Sequence, residues 1–139
     1  MQRRIAQIDQ STGEVLEGVV AFVSSKRRNG FGKEWFAMGM NAAMEFAVRK
    51  FSESDYRVLW ALLARLDFEN HVAIGQTELA TLLSMHRVTV NRSIRNLVRE
   101  GVLLEAGTRP NGYRLNPNFA WRGSGRSHRD ALSHLKLVK

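Results

Sequence analysis

Two helical patterns follow each other between residues 76 and 101, with a connection of only two or three residues. The first covers residues 76–84 and the second lies within residues 84–101. Each repeats apolar residues at the spacing of one helix face. Those expected inside are Leu79, Leu82 and Leu83 in the first helix, and Val90, Ile94, Leu97 and Val98 in the second. So short a connection makes the helices cross at a large angle, and the second helix then projects from the protein surface.

A longer helix is predicted ahead of this pair, at residues 52–67, where Ser52 and Asp55 fit a capping box. Its apolar stripe comprises Tyr56, Val58, Leu59, Trp60, Leu62, Leu63 and Leu66. Residues 71–74 (HVAI) are predicted to form a short strand. The helix at residues 52–67 is apolar enough to be a central element of the core.

A β-hairpin is predicted after the helix pair. Residues 102–106 (VLLEA) and 113–116 (YRLN) flank the loop GTRPNG, whose Asn-Gly pair favours a hairpin turn. The order is therefore helix, short strand, helix, tight turn, helix, hairpin. This is the order of a winged helix-turn-helix, and we predict that fold, in the α+β class.

The flanking segments predict an N-terminal β-hairpin within residues 3–23, a short strand at 33–38 and a helix at 41–50 with Ala42, Phe46 and Ala47 near one face. Residues 116–127 are expected to form a loop, and residues 128–139 a short C-terminal helix. We therefore divide the chain into an N-terminal extension packed on the core (1–51), the winged helix-turn-helix domain (52–120) and a basic C-terminal segment (121–139).

The net charge of +8 is unevenly distributed along the 139 residues. Residues 1–83 carry ten Lys or Arg and ten Asp or Glu, whereas residues 84–139 carry eleven and three. Nine of those eleven basic residues are Arg, which suits phosphate and guanine geometry. A positive field on one side of a protein attracts polyanions, and nucleic acid is the partner we expect.

The second helix of the pair carries the first part of this excess. At about 100° per residue, its core side is opposed by a polar side formed by Val88, Arg92, Arg95, Asn96 and Arg99, with Asn91 and Ser93 on the flanks. A solvated helix face normally mixes Glu with Lys, yet this one has no acidic residue before Glu100. We therefore expect the face to contact double-stranded DNA.

Base contacts are expected near the start of this helix. Arg87 and Arg92 are candidates for bidentate bonds to guanine, Asn91 for adenine or a phosphate, and Val88 for a thymine methyl group. His86 also lies at the base-reading end of the helix.

Other residues are expected to contact DNA without reading its sequence. Arg109 is expected in the minor groove, and Arg114 is expected to support the wing. Contacts to phosphates are expected from Thr77, Thr89, Arg95, Lys26, Arg27 and Arg28.

Nothing in the sequence favours an enzyme. The histidines, His71, His86, His128 and His134, form no His-x-His or HExxH pair, and cysteine is absent. There is no GxxxxGK[ST] loop, and the tyrosines fit structural positions in the predicted core helix and wing. We expect no catalytic residue, no metal and no cofactor. The lack of a long apolar run argues against a membrane span, so we expect a cytoplasmic protein.

Longer stretches resemble known families. Residues 76–105 match the general winged-helix pattern TV-x-R-x-I-x-x-L-x-x-x-G-x-L. The segments TGEVLEGVVAFV, KRRNGF, WFAM, LDFEN and YRLNPNFAWRG, spread over most of residues 8–125, together resemble RepL-type plasmid replication proteins. The resemblance implies a winged helix that binds DNA to start or maintain plasmid replication. The chain departs from winged helices at the turn, where Ser84 replaces a common Gly and His86 a common Ser cap, so a weaker helix cap is expected.

Three functions stay open at this point. The first is an origin-binding replication protein that recruits host replication proteins, and the second is a winged-helix transcriptional regulator of a plasmid or phage operon. The third is an architectural protein that binds DNA without sequence preference. Many winged-helix proteins read two half-sites as dimers. We therefore expect a homodimer formed through the N-terminal hairpin or residues 127–138, which have apolar residues that the winged-helix core does not need.

Overall fold

The computed structural model describes residues 7–8, 15–16, 29–72, 74–105 and 112–137. The chain divides into two compact units, Met1–Gly32 and Lys33–Lys139. The first unit contains strands β1 (Gln7–Ile8) and β2 (Val15–Leu16), paired antiparallel with Gln7 opposite Leu16. This pairing confirms the predicted hairpin. Lys26, Arg27 and Arg28 lie outside the described residues.

The second unit begins with strand β3 (Ala37–Met38) and helix α1 (Met40–Val48), followed by helix α2 (Glu53–Ala64). The capping box is confirmed, since the Asp55 amide donates to Ser52 Oγ and the Ser52 amide to Asp55 Oδ2. Buried residues of α2 include Val58, Leu59, Leu62 and Leu63. Trp60, placed in the core stripe from sequence, is 57% exposed. The packed elements cover only one side of α2, so the stripe is narrower than its apolar residues indicated.

The helix pair consists of α3 (Gln76–Leu83) and α4 (Arg87–Arg99). Ser84 ends α3 in the left-handed conformation, with φ 51° and ψ 45°, which turns the chain sharply into α4. His86 precedes α4 and makes no side-chain cap bond, so the expected weak cap is confirmed. Leu82, expected inside, is 52% exposed, because the buried side of α3 is formed by Leu79 and Ala80.

A three-stranded antiparallel sheet adjoins the helices in the order β4 (His71–Val72), β6 (Tyr113–Leu115), β5 (Leu103–Glu105). Strands β5 and β6 form the stem of the predicted wing, with Leu104 opposite Arg114. The loop between them, including Arg109, lies outside the described residues. A short 3-10 turn (Phe68–Asn70) leads into β4.

The remaining elements differ most from the sequence predictions. Residues 120–121, expected in a loop, form strand β7 (Ala120–Trp121), which pairs antiparallel with β3. Helix α5 (Gly125–Leu137) follows. Within the second compact unit, β3 pairs with β7 and Phe46 of α1 stacks on Phe119 at 4.9 Å. The division into an extension, a winged helix-turn-helix domain and a C-terminal segment stays a prediction.

A single core holds this second unit together. It takes Ala42 and Phe46 from α1, the inner sides of α2, α3 and α4, the strand residues Val72, Leu103 and Leu115, and Val102, which precedes β5. From α4 it takes Val90, Ile94 and Leu97, as predicted, while Val98 is half-buried at its margin. Helix α4 packs against α2, α3 and β5, so its inner side is fully covered and its outer side is presented on a rigid base.

Candidate nucleic-acid interface

The outer side of α4 is an exposed basic surface. Arg87, Arg92, Arg95 and Arg99 are all exposed, and Val88 is 70% exposed. Within the described part of the chain, neither a salt bridge nor a side-chain hydrogen bond involves Arg87, Arg92 or Arg95. These guanidinium groups are therefore available to a ligand. Ser93, expected on the flank, is buried.

The arrangement follows from helical periodicity combined with the packing of α4. Val90, Ile94 and Leu97 recur on the buried side, so Val88, Arg92, Arg95 and Arg99 recur on the opposite one. A helix with its side chains is about 10–12 Å across, which fits a DNA major groove about 12 Å wide. Ser84 makes the tight turn between α3 and α4, and Ala80 is buried in α3, which packs against α4.

One cleft, of about 680 Å³, separates the exposed side of α4 from the N-terminus of α2. Asp55 is the sole acidic residue in its lining, and three arginines surround it. The lining consists of Ser52, Asp55, Val88, Asn91, Arg92, Arg95, Asn96 and Arg99. The positive end of the α2 dipole adds to the guanidinium charges, and both favour an anionic ligand in this cleft.

A second cleft, of about 370 Å³, lies on the wing side of α4. It is lined by Gln76, Asn91, Arg95, Val98, Glu105 and Tyr113. Asn91 and Arg95 line both clefts and therefore form the ridge between them. A duplex placed on this ridge would carry one phosphate backbone along each side, because the two backbones border the major groove.

A chain of hydrogen bonds crosses the first cleft. Asp55, which is 6% exposed, accepts from the Ser52 amide at 3.2 Å and from Asn96 Nδ2 at 2.7 Å, both at Oδ2. Arg99 Nη2 donates in turn to Asn96 Oδ1. The polar groups of Asn96 and one end of Arg99 are therefore engaged within the protein, unlike those of Arg92 and Arg95.

Arg114 is held on the wing stem by contacts within the protein. Its Nε donates to the Glu69 carbonyl oxygen at 3.0 Å, and its guanidinium carbon lies 5.8 Å from the centre of a Trp121 ring. The Trp121 ring stacks on His128 at 5.1 Å, which connects the wing stem to α5. These contacts hold the Arg114 side chain against the protein, and its role in supporting the wing stays a prediction. Arg109, Lys26, Arg27 and Arg28 lie outside the described residues.

The other sequence-predicted residues lie at the helix starts. His86 is exposed at the N-cap of α4 and Thr89 is half-buried in its first turn, while Thr77 is exposed in the first turn of α3. The structure thus brings Val88, Asn91, Arg92 and Arg95 together at the first cleft. It adds Ser52 and Asp55 to that cleft, and Gln76 and Tyr113 to the second, which sequence reasoning did not place there. The capping box marked Ser52 and Asp55 as the start of α2, but not which element that start would face.

The described residues contain no group of three or more His, Cys, Asp or Glu residues arranged to hold a metal ion. None of the helices found there is long and apolar enough to cross a membrane.

One protein-family model matches the central part of the chain. Residues 56–115 match the model of the Crp-like helix-turn-helix domain. The match runs from the first turn of α2 to the end of β6, and it supports a winged helix-turn-helix DNA-binding protein. The search of curated proteins and the search of solved structures found no match.

Proposed function

We propose that this protein binds a specific double-stranded DNA sequence through α4 and acts at a plasmid replication origin. The main support for DNA binding comes from the outer side of α4. Arg87, Arg92 and Arg95 are exposed there and have no partner among the described residues. Like charges at this density repel one another and contribute nothing to an unliganded fold. A polyanion would neutralise them.

Roles on this surface follow from position. Arg87, Val88, Asn91 and Arg92 occupy the N-terminal half of α4, which enters the major groove most deeply in helix-turn-helix proteins, and are proposed to contact base edges. Thr77, Thr89, Arg95 and His86 surround them and are proposed as phosphate or groove-edge contacts. Arg109, which lies in sequence between β5 and β6, is proposed for the minor groove, and Lys26, Arg27 and Arg28 for adjacent phosphates. Arg114 supports the wing.

The proposal of an origin rests on the resemblance to RepL-type proteins, which covers most of residues 8–125. A replication initiator must both recognise its site and recruit host replication proteins. We propose that α4 performs the first task. We further propose a homodimer, because a dimer places two recognition helices one helical turn apart and matches a two-fold symmetric site.

A transcriptional regulator with the same fold is the second candidate. The match to a Crp-like helix-turn-helix domain favours it, since that match concerns the DNA-binding element alone and requires no replication function. The two candidates predict the same contacts on α4. They differ in what the bound sequence controls.

Two experiments, carried out one after the other, test the proposal. Selection of bound fragments from a random-sequence duplex library is expected to yield one recurrent motif. A specific protein normally binds its site about 4–10 kcal/mol more tightly than random DNA. A selected duplex and a scrambled one that bind equally at the same salt concentration would indicate the architectural alternative and refute sequence-specific recognition.

The second experiment separates the two specific functions. A plasmid whose only origin contains the selected motif is introduced into cells with and without the intact gene for this protein. Loss of plasmid maintenance without the gene supports an initiator. Unchanged copy number, together with altered transcription from a promoter next to the motif, supports the regulator.

A further inference from the structure

The hydrogen-bond chain between α2 and α4 divides the basic surface into two parts. Asn96 and Arg99 belong to the same outer side of α4 as Arg92 and Arg95, and all four line the same cleft. Yet Asn96 is bonded to Asp55 at 2.7 Å and Arg99 is bonded to Asn96, whereas Arg92 and Arg95 have no bonded partner in the described part of the chain.

The chemistry of Asp55, Asn96 and Arg99 determines the direction in which these hydrogen bonds run. A carboxylate only accepts hydrogen bonds and a guanidinium only donates them. An amide placed between the two fits in one orientation, with Nδ2 toward Asp55 and Oδ1 toward Arg99, and this is the orientation observed. Asp55 is itself fixed, because its Oδ2 also accepts from the Ser52 amide and its side chain is buried.

This arrangement ties the Asn96 amide to the protein. An asparagine that reads adenine uses both ends of its amide, and in Asn96 one N–H is bonded to Asp55 and one lone pair of Oδ1 to Arg99. The amide cannot turn toward a base edge without breaking these bonds. Arg99 keeps free N–H groups, but Asn96 holds its guanidinium near the N-terminus of α2. In helix-turn-helix complexes the N-terminal residues of the recognition helix reach the base edges, so an arginine held at the C-terminal end of α4 is expected to meet a phosphate.

We propose that Asp55 is a positioning residue which, through Asn96, holds Arg99 as a sequence-independent phosphate contact and so ends the base-reading part of α4 at Arg95. This inference rests on the proposed function, because it specifies how the same surface meets DNA. It assigns Asp55 a second task besides capping α2. It also explains why an acidic side chain is tolerated within a basic cleft: its charge is bonded, buried and directed at the protein.

The first test measures binding to the selected duplex over a range of salt concentrations. We expect Arg99→Ala to reduce the slope of log affinity against log salt by about one unit, with base preferences unchanged. We expect Asn96→Ala to weaken binding by about two- to tenfold, because a released Arg99 must be ordered again when DNA binds. Arg65→Ala removes an exposed arginine from the opposite end of α2 and is the control, with no change expected in slope or affinity.

Two results of this test would overturn the inference. One is a loss of preference at a single base pair in Arg99→Ala, which would make Arg99 a base-reading residue. The other is wild-type affinity in Asn96→Ala. Thermal unfolding of each variant is measured alongside, so that loss of fold is not mistaken for loss of contact.

Asp55→Ala tests the start of this hydrogen-bond chain. It removes the oxygen to which both the Ser52 amide and Asn96 Nδ2 donate, so Asn96 loses the bond that fixes its orientation and Arg99 is released. We expect the weakened binding of Asn96→Ala to be reproduced. A folded Asp55→Ala protein with wild-type affinity contradicts the inference, and if this variant does not fold, Asn96→Ala decides the question.

A measurement on the DNA-free protein distinguishes this inference from the proposed function. In NMR relaxation of arginine Nε–Hε groups, Arg99 should be more ordered than Arg92 and Arg95, and the difference should vanish in Asn96→Ala. An Arg99 as mobile as Arg92 overturns the positioning role even if the protein binds its site. An ordered Arg99 in a protein that selects no duplex instead refutes the proposed function and the phosphate contact with it.

Discussion

Two groups of arginines in the described part of the chain lie in different regions and behave in opposite ways. Around the helix ends and the wing stem, each of four arginines donates to a backbone carbonyl oxygen. The bonds run from Arg49 to Glu100, from Arg57 to Leu83, from Arg114 to Glu69 and from Arg122 to Leu66. On the outer side of α4, Arg87, Arg92 and Arg95 donate to no described residue. The same side chain stabilises the fold in one region and is left available in the other.

The difference teaches that net charge alone does not locate an interface. Helix C-termini expose carbonyl groups without intrahelical partners, and a cation there is favourable for the fold. Arg49 and Arg57 each use this effect, at the ends of α4 and α3. An arginine is informative about a ligand only when the protein's own carbonyls and carboxylates leave it unbonded. The predictions below test whether the two regions are separable, from the largest expected effect to the smallest.

Asn70→Ala is expected to produce the largest change in stability, because Asn70 lies in the region where polar side chains bond to the protein's own backbone. It is fully buried, its Nδ2 donates to Leu115 at 3.0 Å and to Ala120 at 2.7 Å, and its Oδ1 accepts from the Arg122 amide at 2.9 Å. Removing the amide leaves three backbone groups without these partners. We expect the free energy of unfolding to fall by at least about 3 kcal/mol.

Urea unfolding measures this effect, and Asn118→Ala is the control. Asn118 is exposed and its side chain makes no hydrogen bond to another described residue, so a change within about 0.5 kcal/mol is expected. Equal unfolding midpoints for the two variants would show that the Asn70 bonds do not hold β6 and β7 together.

Arg92→Ala should show the reverse signature. Binding to the selected duplex is expected to weaken by about 1–3 kcal/mol with relaxed preference at one base pair, while unfolding is unchanged. Arg57→Ala is the matched variant from the other region. We expect it to lower the free energy of unfolding by up to about 1 kcal/mol and to keep the base preference. If Arg92→Ala weakens binding to every duplex equally, Arg92 contacts only phosphate.

The fold was largely predictable because its signals are local. The repeats that form α2, α3 and α4, the capping box at Ser52 and the two strands flanking Asn-Gly each lie within a short window of sequence. Strand β7 was not predictable in this way, since its partner β3 lies far along the chain. The exposure of Trp60 and Leu82 also escaped prediction, because an apolar stripe does not show how much of it neighbouring elements cover.

The sequence predicted which residues share the outer side of α4, but not which of them are bonded within the protein and which are left unbonded. Periodicity placed Arg92, Arg95, Asn96 and Arg99 on one side of α4, and the structure places them there. It could not show that Asn96 meets Asp55, which is 41 residues away. A capping box fixes the side chain of Asp55 toward its own helix, but only packing of α2 on α4 brings a second donor to the same oxygen.

Arg109 and Arg114 offer a finer comparison on the wing. Arg109→Ala is expected to flatten the salt dependence of binding by about one counterion. Arg114→Ala removes the same charge from the stem, where the residue is bonded to Glu69 and lies over Trp121, so we expect lower stability and an unchanged slope. Salt titrations of both variants against the wild type decide between them. A reduced slope in Arg114→Ala would place Arg114 in the interface.

Ser84→Gly is expected to give the smallest combined change in stability and DNA binding among these variants. It is also expected to change stability without changing DNA binding. Ser84 lies two residues before His86 and adopts φ 51°, a conformation that costs most L-residues about 1–2 kcal/mol and costs glycine almost nothing. Glycine also gives the unfolded chain more freedom, so we expect a net gain of about 0.5–1 kcal/mol in stability. Because the Ser84 side chain makes no bond in the described part of the chain, affinity and base preference should stay at wild-type values. A change in base preference would mean that the turn itself contacts DNA. The DNA-binding surface would then begin before the start of α4.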